Sequence, residues 1–160
     1  AAAARRRRAR AAAKYKPDSV ELLLIAEAPP AALDRYFYFK DVTRQDSLFR
    51  YVARSLLGVE PTRQDKREQL AALRDLGVFL IDVSADPLGT APLADSIADL
   101  VKRAMALAPA KVILIKATVY DHAFAALRDA GLPVIDERVP FPGSGQQKNF
   151  EAAFARALKQ

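Results

Sequence analysis

The stretch Leu22-Leu23-Leu24-Ile25-Ala26-Glu27-Ala28-Pro29-Pro30 decides the fold. The run 20–26 is short and almost continuously apolar, the pattern of a strand covered on both faces rather than of a half-exposed one. A carboxylate, Glu27, follows the run directly. Pro29 and Pro30 forbid immediate helix continuation and hold the backbone extended, so Glu27 is fixed at the rim of a sheet. Tyr36-Phe37-Tyr38-Phe39 come too soon after this turn to belong to the next helix. The four rings either make a wall on which a flat ring stacks, or pack beneath the loop as core.

Three more segments read as strands: 78–83, 111–116 and 133–139, the last more polar and placed at an edge. Between them the sequence predicts helices. One spans 47–57, with Leu48, Val52 and Leu56 at i, i+4 and i+8 and Gly58 as its left-handed stop. Another starts at a Thr62 cap and ends before Gly77, and a third covers 93–107. The helix 119–130 is halted by Gly131 and Pro133, and the last, 146–158, carries Phe150, Phe154 and Leu158 on its apolar side. Strands alternating with helices predict an α/β fold, a three-layer α/β/α sandwich around a four-stranded parallel sheet of order 2-1-3-4.

The 160 residues suit one domain. They carry 25 Lys and Arg, 19 Asp and Glu and a net charge of +6. Residues 1–16 hold seven of those cations (Arg5, Arg6, Arg7, Arg8, Arg10, Lys14, Lys16) and no acid, which leaves 18 cations against 19 acids in the body. The division is therefore a basic N-terminal arm, 1–17, and a single α/β domain, 18–160. The arm either lies along a phosphate backbone or is a solvated, frayed or helical terminus. No apolar region follows the charges as in a signal peptide, and no run approaches the ~20 residues of a membrane helix. A cytoplasmic monomer is expected. With no cysteine and one histidine, disulfides, thiolate zinc sites and iron-sulfur clusters are excluded, and no metal or other cofactor is expected.

In a doubly wound sheet, ligands bind beyond the carboxyl ends of the strands. This selects four loops: 27–39, 84–92, 117–122 and 140–147. The second strand's end brings Asp82 and Ser84; the third brings Lys116, Thr118, Tyr120 and His122, with Lys116 free to neutralise Glu27 in a rim ion pair. The fourth, Pro142-Gly143-Ser144-Gly145-Gln146, precedes the final helix, where amides and the Ser144 hydroxyl can converge on an anion. It is neither a Walker loop nor a dinucleotide fingerprint. A plain turn with Ser144 as a helix cap is the other reading.

The order of strand, Glu27-Ala28-Pro29-Pro30, aromatics, alternating helices and strands, and Pro142-Gly143-Ser144-Gly145 resembles the uracil-DNA glycosylase superfamily over residues 18–160. Ala26-Glu27-Ala28-Pro29-Pro30 agrees with the Gly-Glu-Ala-Pro-Gly motif of its thermophile-type branch at Glu27, Ala28 and Pro29. Pro142-Gly143-Ser144-Gly145 is similar to the superfamily's Pro-Ser motif with an inserted glycine. The chain departs from that branch in lacking the cluster-binding cysteines, and has Asp82 where Asn is usual. The resemblance implies a DNA-repair hydrolase that flips a modified base, uracil or a deaminated purine, and cuts its N-glycosidic bond. Glu27 and Asp82 then take the catalytic positions. Ala28, Pro29, Tyr36, Phe37, Tyr38, Ser84, Lys116 and Tyr120 surround the base. Pro142, Gly143, Ser144, Gly145 and Gln146 hold the DNA backbone, assisted by Arg5, Arg6, Arg7 and Arg8. A catalytically silent nucleic-acid or nucleotide-binding relative, or a phosphate-ester-binding α/β protein, remains open on the same residues.

Overall fold

The computed structural model describes residues 1–89 and 91–160. Helix α1 (Ala2–Lys14) precedes strand β1 (Leu22–Ala26). Helices α2 (Ser47–Leu57) and α3 (Lys66–Asp75), strand β2 (Val78–Asp82), a 3₁₀ turn (Leu93–Ser96) and helix α4 (Ile97–Leu107) follow. Strand β3 (Val112–Leu114) and helices α5 (Ala117–Asp129) and α6 (Gln147–Leu158) complete the chain. Among the described residues no helix is long and apolar enough to cross a membrane.

The sheet is parallel, with order β2-β1-β3. β1 is central and buried at every position, which is why its sequence does not alternate. Leu23, Leu24 and Ile25 are wholly inaccessible, as are Phe49 of α2 and Phe150 and Phe154 of α6. Helix α2 packs against α3 and α6, and α4 against α5. α2 runs where the periodicity predicts it. Asp46 caps its start by accepting from the Phe49 amide at 2.9 Å, and Gly58 ends it at φ 71. Thr62 does not begin α3 directly; it closes a turn with Asp65, and the helix starts one residue later.

The expected fourth strand does not form. Segment 133–139 lies beside β3 and touches it through two isolated parallel bridges, Val112 with Val134 and Ile115 with Val139. Between the bridges β3 advances three residues while the edge segment advances five, so a ladder cannot keep register. The surplus loops outward through a tight turn, Glu137 N–H to Ile135 C=O at 3.0 Å. Each looped-out side chain has a partner off the sheet: Asp136 with Tyr120, Glu137 with Arg156, Arg138 with Asp121.

The residues expected as an arm form a docked helix. Ala4, Arg8, Ala11, Ala12 and Tyr15 face the body, and their spacing is that of one helical face. Small residues let the helix approach closely. Arg8 is 5 % exposed and donates to the Ala85 carbonyl at 3.1 Å, Arg5 pairs with Asp86, and Tyr15 stacks on Tyr38 with centroids 6.3 Å apart.

Candidate functional site

At the carboxyl end of the sheet the last residues of the strands, Ala26 and Asp82, and Lys116 just beyond β3 open into one cleft of about 540 Å³. The loop after β1 supplies Glu27 to Ala31, Arg35, Tyr36 and Phe37; the run from Arg44 to Leu48 enters from the start of α2. Leu88 and Phe141 complete the mouth and are exposed there. Three of the four selected loops, 27–39, 84–92 and 140–147, contribute lining residues; loop 117–122 contributes none, although Lys116 just before it lines the cleft and Thr118 bonds Glu27.

Glu27 is not a free carboxylate. Lys116 donates to its Oε1 and the Thr118 hydroxyl to its Oε2 at 2.7 Å. Burial alone would raise its pKa, but these two donors outweigh that and hold it below the ordinary carboxylate value. Lys116 takes its position at a backbone cost, with φ 90 at a residue that has a side chain. Its amide is anchored to the Val139 carbonyl at 2.7 Å, which fixes the start of α5 and aims the ammonium at Glu27.

Asp82 ends β2 in the cleft and is half-buried there; burial pushes its carboxyl pKa up to about 7, and the nearby Asp46 carboxylate adds to the rise. Arg103 and Arg8 oppose the shift without cancelling it. Arg103 also pins the strand end by donating to the backbone carbonyls of Asp82 and Val83, both at 2.8 Å. Asp46 is itself raised by burial, against the Phe49 amide that its side chain caps. A carboxyl group that is half-protonated near neutrality and stands in a cavity can give and take a proton there.

Beneath the cleft, Tyr36, Phe37, Tyr38 and Phe39 are all under 9 % exposed. Tyr36 and Phe37 still present part of their surface to the cleft. Tyr38 does not: its hydroxyl accepts the Leu80 amide at 2.6 Å and its ring packs on Phe79, so it braces β2 as core. Lys66 is 1 % exposed and donates to the Tyr36 carbonyl at 2.8 Å, holding the aromatic loop from below. Burial lowers its pKa to about 8.

Other expected site residues lie elsewhere. Ser84 turns into its own loop, bonding the Asp86 carbonyl at 2.9 Å; the 84–92 loop also contains Thr90, outside the described residues. Tyr120 stacks on Phe124 and donates to Asp136 on the edge segment. Pro142, Gly143, Ser144, Gly145 and Gln146 do not line the cleft, where Phe141 stands instead. The amides of Gly143 and Gln146 donate to the carbonyls of Phe141 and Gly143, both at 2.9 Å, so half of the expected anion cradle is spent on its own turn. Arg5 and Arg8 are committed to docking α1. Among the described residues no three His, Asp or Glu side chains gather as metal ligands.

Arg35, Arg44, Gln45, Asp46 and Leu88 were not legible as site residues. For all but Leu88, which lies in the 84–92 loop, the signal was loop length: the whole connection 27–46 between β1 and α2 lacks regular structure, and such long loops in compact domains usually carry function. No protein-family model, no curated protein and no solved structure matches the chain.

Proposed function

We propose that the protein is a DNA glycosylase-like hydrolase, on a three-layer sandwich of the uracil-DNA glycosylase kind, that takes one modified base into the cleft and cuts its N-glycosidic bond. One observation carries the reading: Glu27, Ala28, Pro29, Tyr36, Phe37, Asp82 and Lys116, chosen from sequence by motif and strand-end position, line a single cavity large enough for a nucleobase. In this reading Asp82, rather than Glu27, handles the proton. The bond between C1′ and the base nitrogen breaks as Asp82 protonates the departing base. Water adds its oxygen to C1′, and its released proton restores Asp82. In this reading the Glu27 carboxylate faces the sugar on which positive charge develops, while its ion pair with Lys116 offsets much of its field. Tyr36 and Phe37 offer ring surface to the base.

That offset favours a second reading, a catalytically silent relative that holds a base without hydrolysing it. Oligonucleotides containing uracil, hypoxanthine, xanthine or a mismatch separate the two when assayed for abasic sites. Hydrolysis predicts base release by the wild type and a loss of about 10²–10⁴-fold in Asp82→Asn. Base-dependent binding with no abasic product supports the silent relative. Equal affinity for modified and unmodified strands sinks both.

A further inference from the structure

The aromatic loop lines two depressions. Tyr36 and Phe37 reach the cleft, whereas Tyr38, Phe39, Lys40 and Asp41 line a groove of about 210 Å³ whose opposite wall is helix α1. Arg7, Arg10 and Lys14 stand on that wall, at i, i+3 and i+7, one stripe of the helix. With Lys40 they bring four cations to the groove, and among the described residues Asp41 is the one carboxylate that lines it. These four side chains make no ion pair among the described residues, in contrast to Arg5 and Arg8 on the same helix. The Arg7 guanidinium lies over the Phe39 ring, 4.6 Å from its centroid. Stacking of this kind orients the planar group and leaves its edge N–H donors for an anion.

We propose that this groove is a phosphodiester-binding site for a nucleic-acid strand, so that α1 is a fixed rail rather than a tail. The inference rests on the nucleic-acid reading above and adds where the strand runs. Along α1 the distance from Arg7 to Lys14 is about 10 Å, from the rise of 1.5 Å per residue. That length matches about three nucleotide steps of a duplex strand, and the fork of each arginine suits phosphate oxygens. A lipid surface is a poor fit. The exposed face of α1 carries only alanine, arginine and lysine, and the rings of the groove are buried, so no large apolar group is offered for insertion.

The test is fluorescence anisotropy of the full chain on short labelled single strands and duplexes without any modified base, over a range of salt concentrations. The triple variant Arg7→Gln, Arg10→Gln, Lys14→Gln is expected to reduce the slope of log affinity against log salt by about 2 on single strands and nearly 3 on duplexes. Lys40→Gln, which lies off the helix and cannot undock it, is expected to reduce it by about 1. Arg67→Gln, exposed on α3 outside both depressions, is expected to change it least. An unchanged slope in both groove variants, or an equal loss in Arg67→Gln, overturns the proposal. So does binding to phosphatidylserine vesicles with none to the oligonucleotides. Since these probes carry no modified base, groove-dependent binding here, together with equal affinity and no abasic product in the modified-base assay, would leave the groove standing and sink the cleft reading alone.

Discussion

Lys116 combines an ion pair with a backbone conformation that residues with side chains rarely adopt. The two effects can be separated by substitution. Lys116→Ala removes the cation and keeps the strain, whereas Lys116→Gly removes both. Lys116→Gly is therefore expected to be the more stable variant, by about 1–3 kcal/mol in urea unfolding. Equal stabilities would mean that φ 90 costs nothing. In either variant Glu27 loses its stronger donor, and its pKa is expected to rise toward the ordinary value. Tyr38 offers a cleaner case. Its hydroxyl accepts a buried amide, so Tyr38→Phe leaves the Leu80 N–H without a partner. The expected loss is about 1–3 kcal/mol, read as a fall in melting temperature of about 2–4 °C for each kcal/mol. If the hydroxyl made no such bond, the same substitution, which keeps the ring, would spare stability.

At the scale of elements, α1 depends on its contacts. A helix of 13 residues is marginal alone in water, and its inward face supplies mainly alanines, Arg8 and the flanking Tyr15. Arg8→Ala removes the buried donor to the Ala85 carbonyl and the second cation beside Asp86. Faster amide hydrogen exchange across Ala2–Lys14, with β1 to β3 unchanged, is the expected outcome. Unchanged protection of α1 would show that its alanine face and Tyr15 suffice. The edge segment 133–139 depends in a similar way on side chains, because two bridges hold it where a strand would have had a ladder.

For the whole molecule, Asp82, Asp46 and Lys66 shape the dependence of stability on pH below about pH 10, above which the Tyr36 and Tyr38 hydroxyls, raised by burial, also act. Asp82 has an ordinary value of 3.8 and a folded value of about 7. Across that window the native state keeps a proton the unfolded chain has lost, so stability falls as pH rises, by an amount on the order of 4 kcal/mol. Asp46 is shifted in the same direction. Lys66 has an ordinary value of 10.5 and a folded value of about 8. Between those values the unfolded chain binds the extra proton, so stability climbs again with pH. The protein is expected to have a stability minimum between about pH 7 and 8, at the folded values of Asp82 and Lys66. Asp82→Asn should flatten the acid side of that minimum and leave the alkaline side in place. A stability maximum in the same range would contradict this.

The sequence alone determined what is local. The apolar run of β1, the periodicity of α2 and its Gly58 stop, and the strand-end positions of Glu27, Asp82 and Lys116 follow from side-chain patterning and backbone preference within a few residues. Tertiary structure decided what depends on residues far apart in the chain. It set whether Glu27 stands free or faces Lys116, 89 positions away. It also turned Tyr38 into core and six of the seven N-terminal cations into part of a docked helix, because burial and pairing are properties of the neighbour brought in by the fold. The fourth strand, too, turned on distant positions: between the two bridges β3 advances three residues and the edge segment five, and the looped-out side chains pair with Tyr120, Asp121 and Arg156.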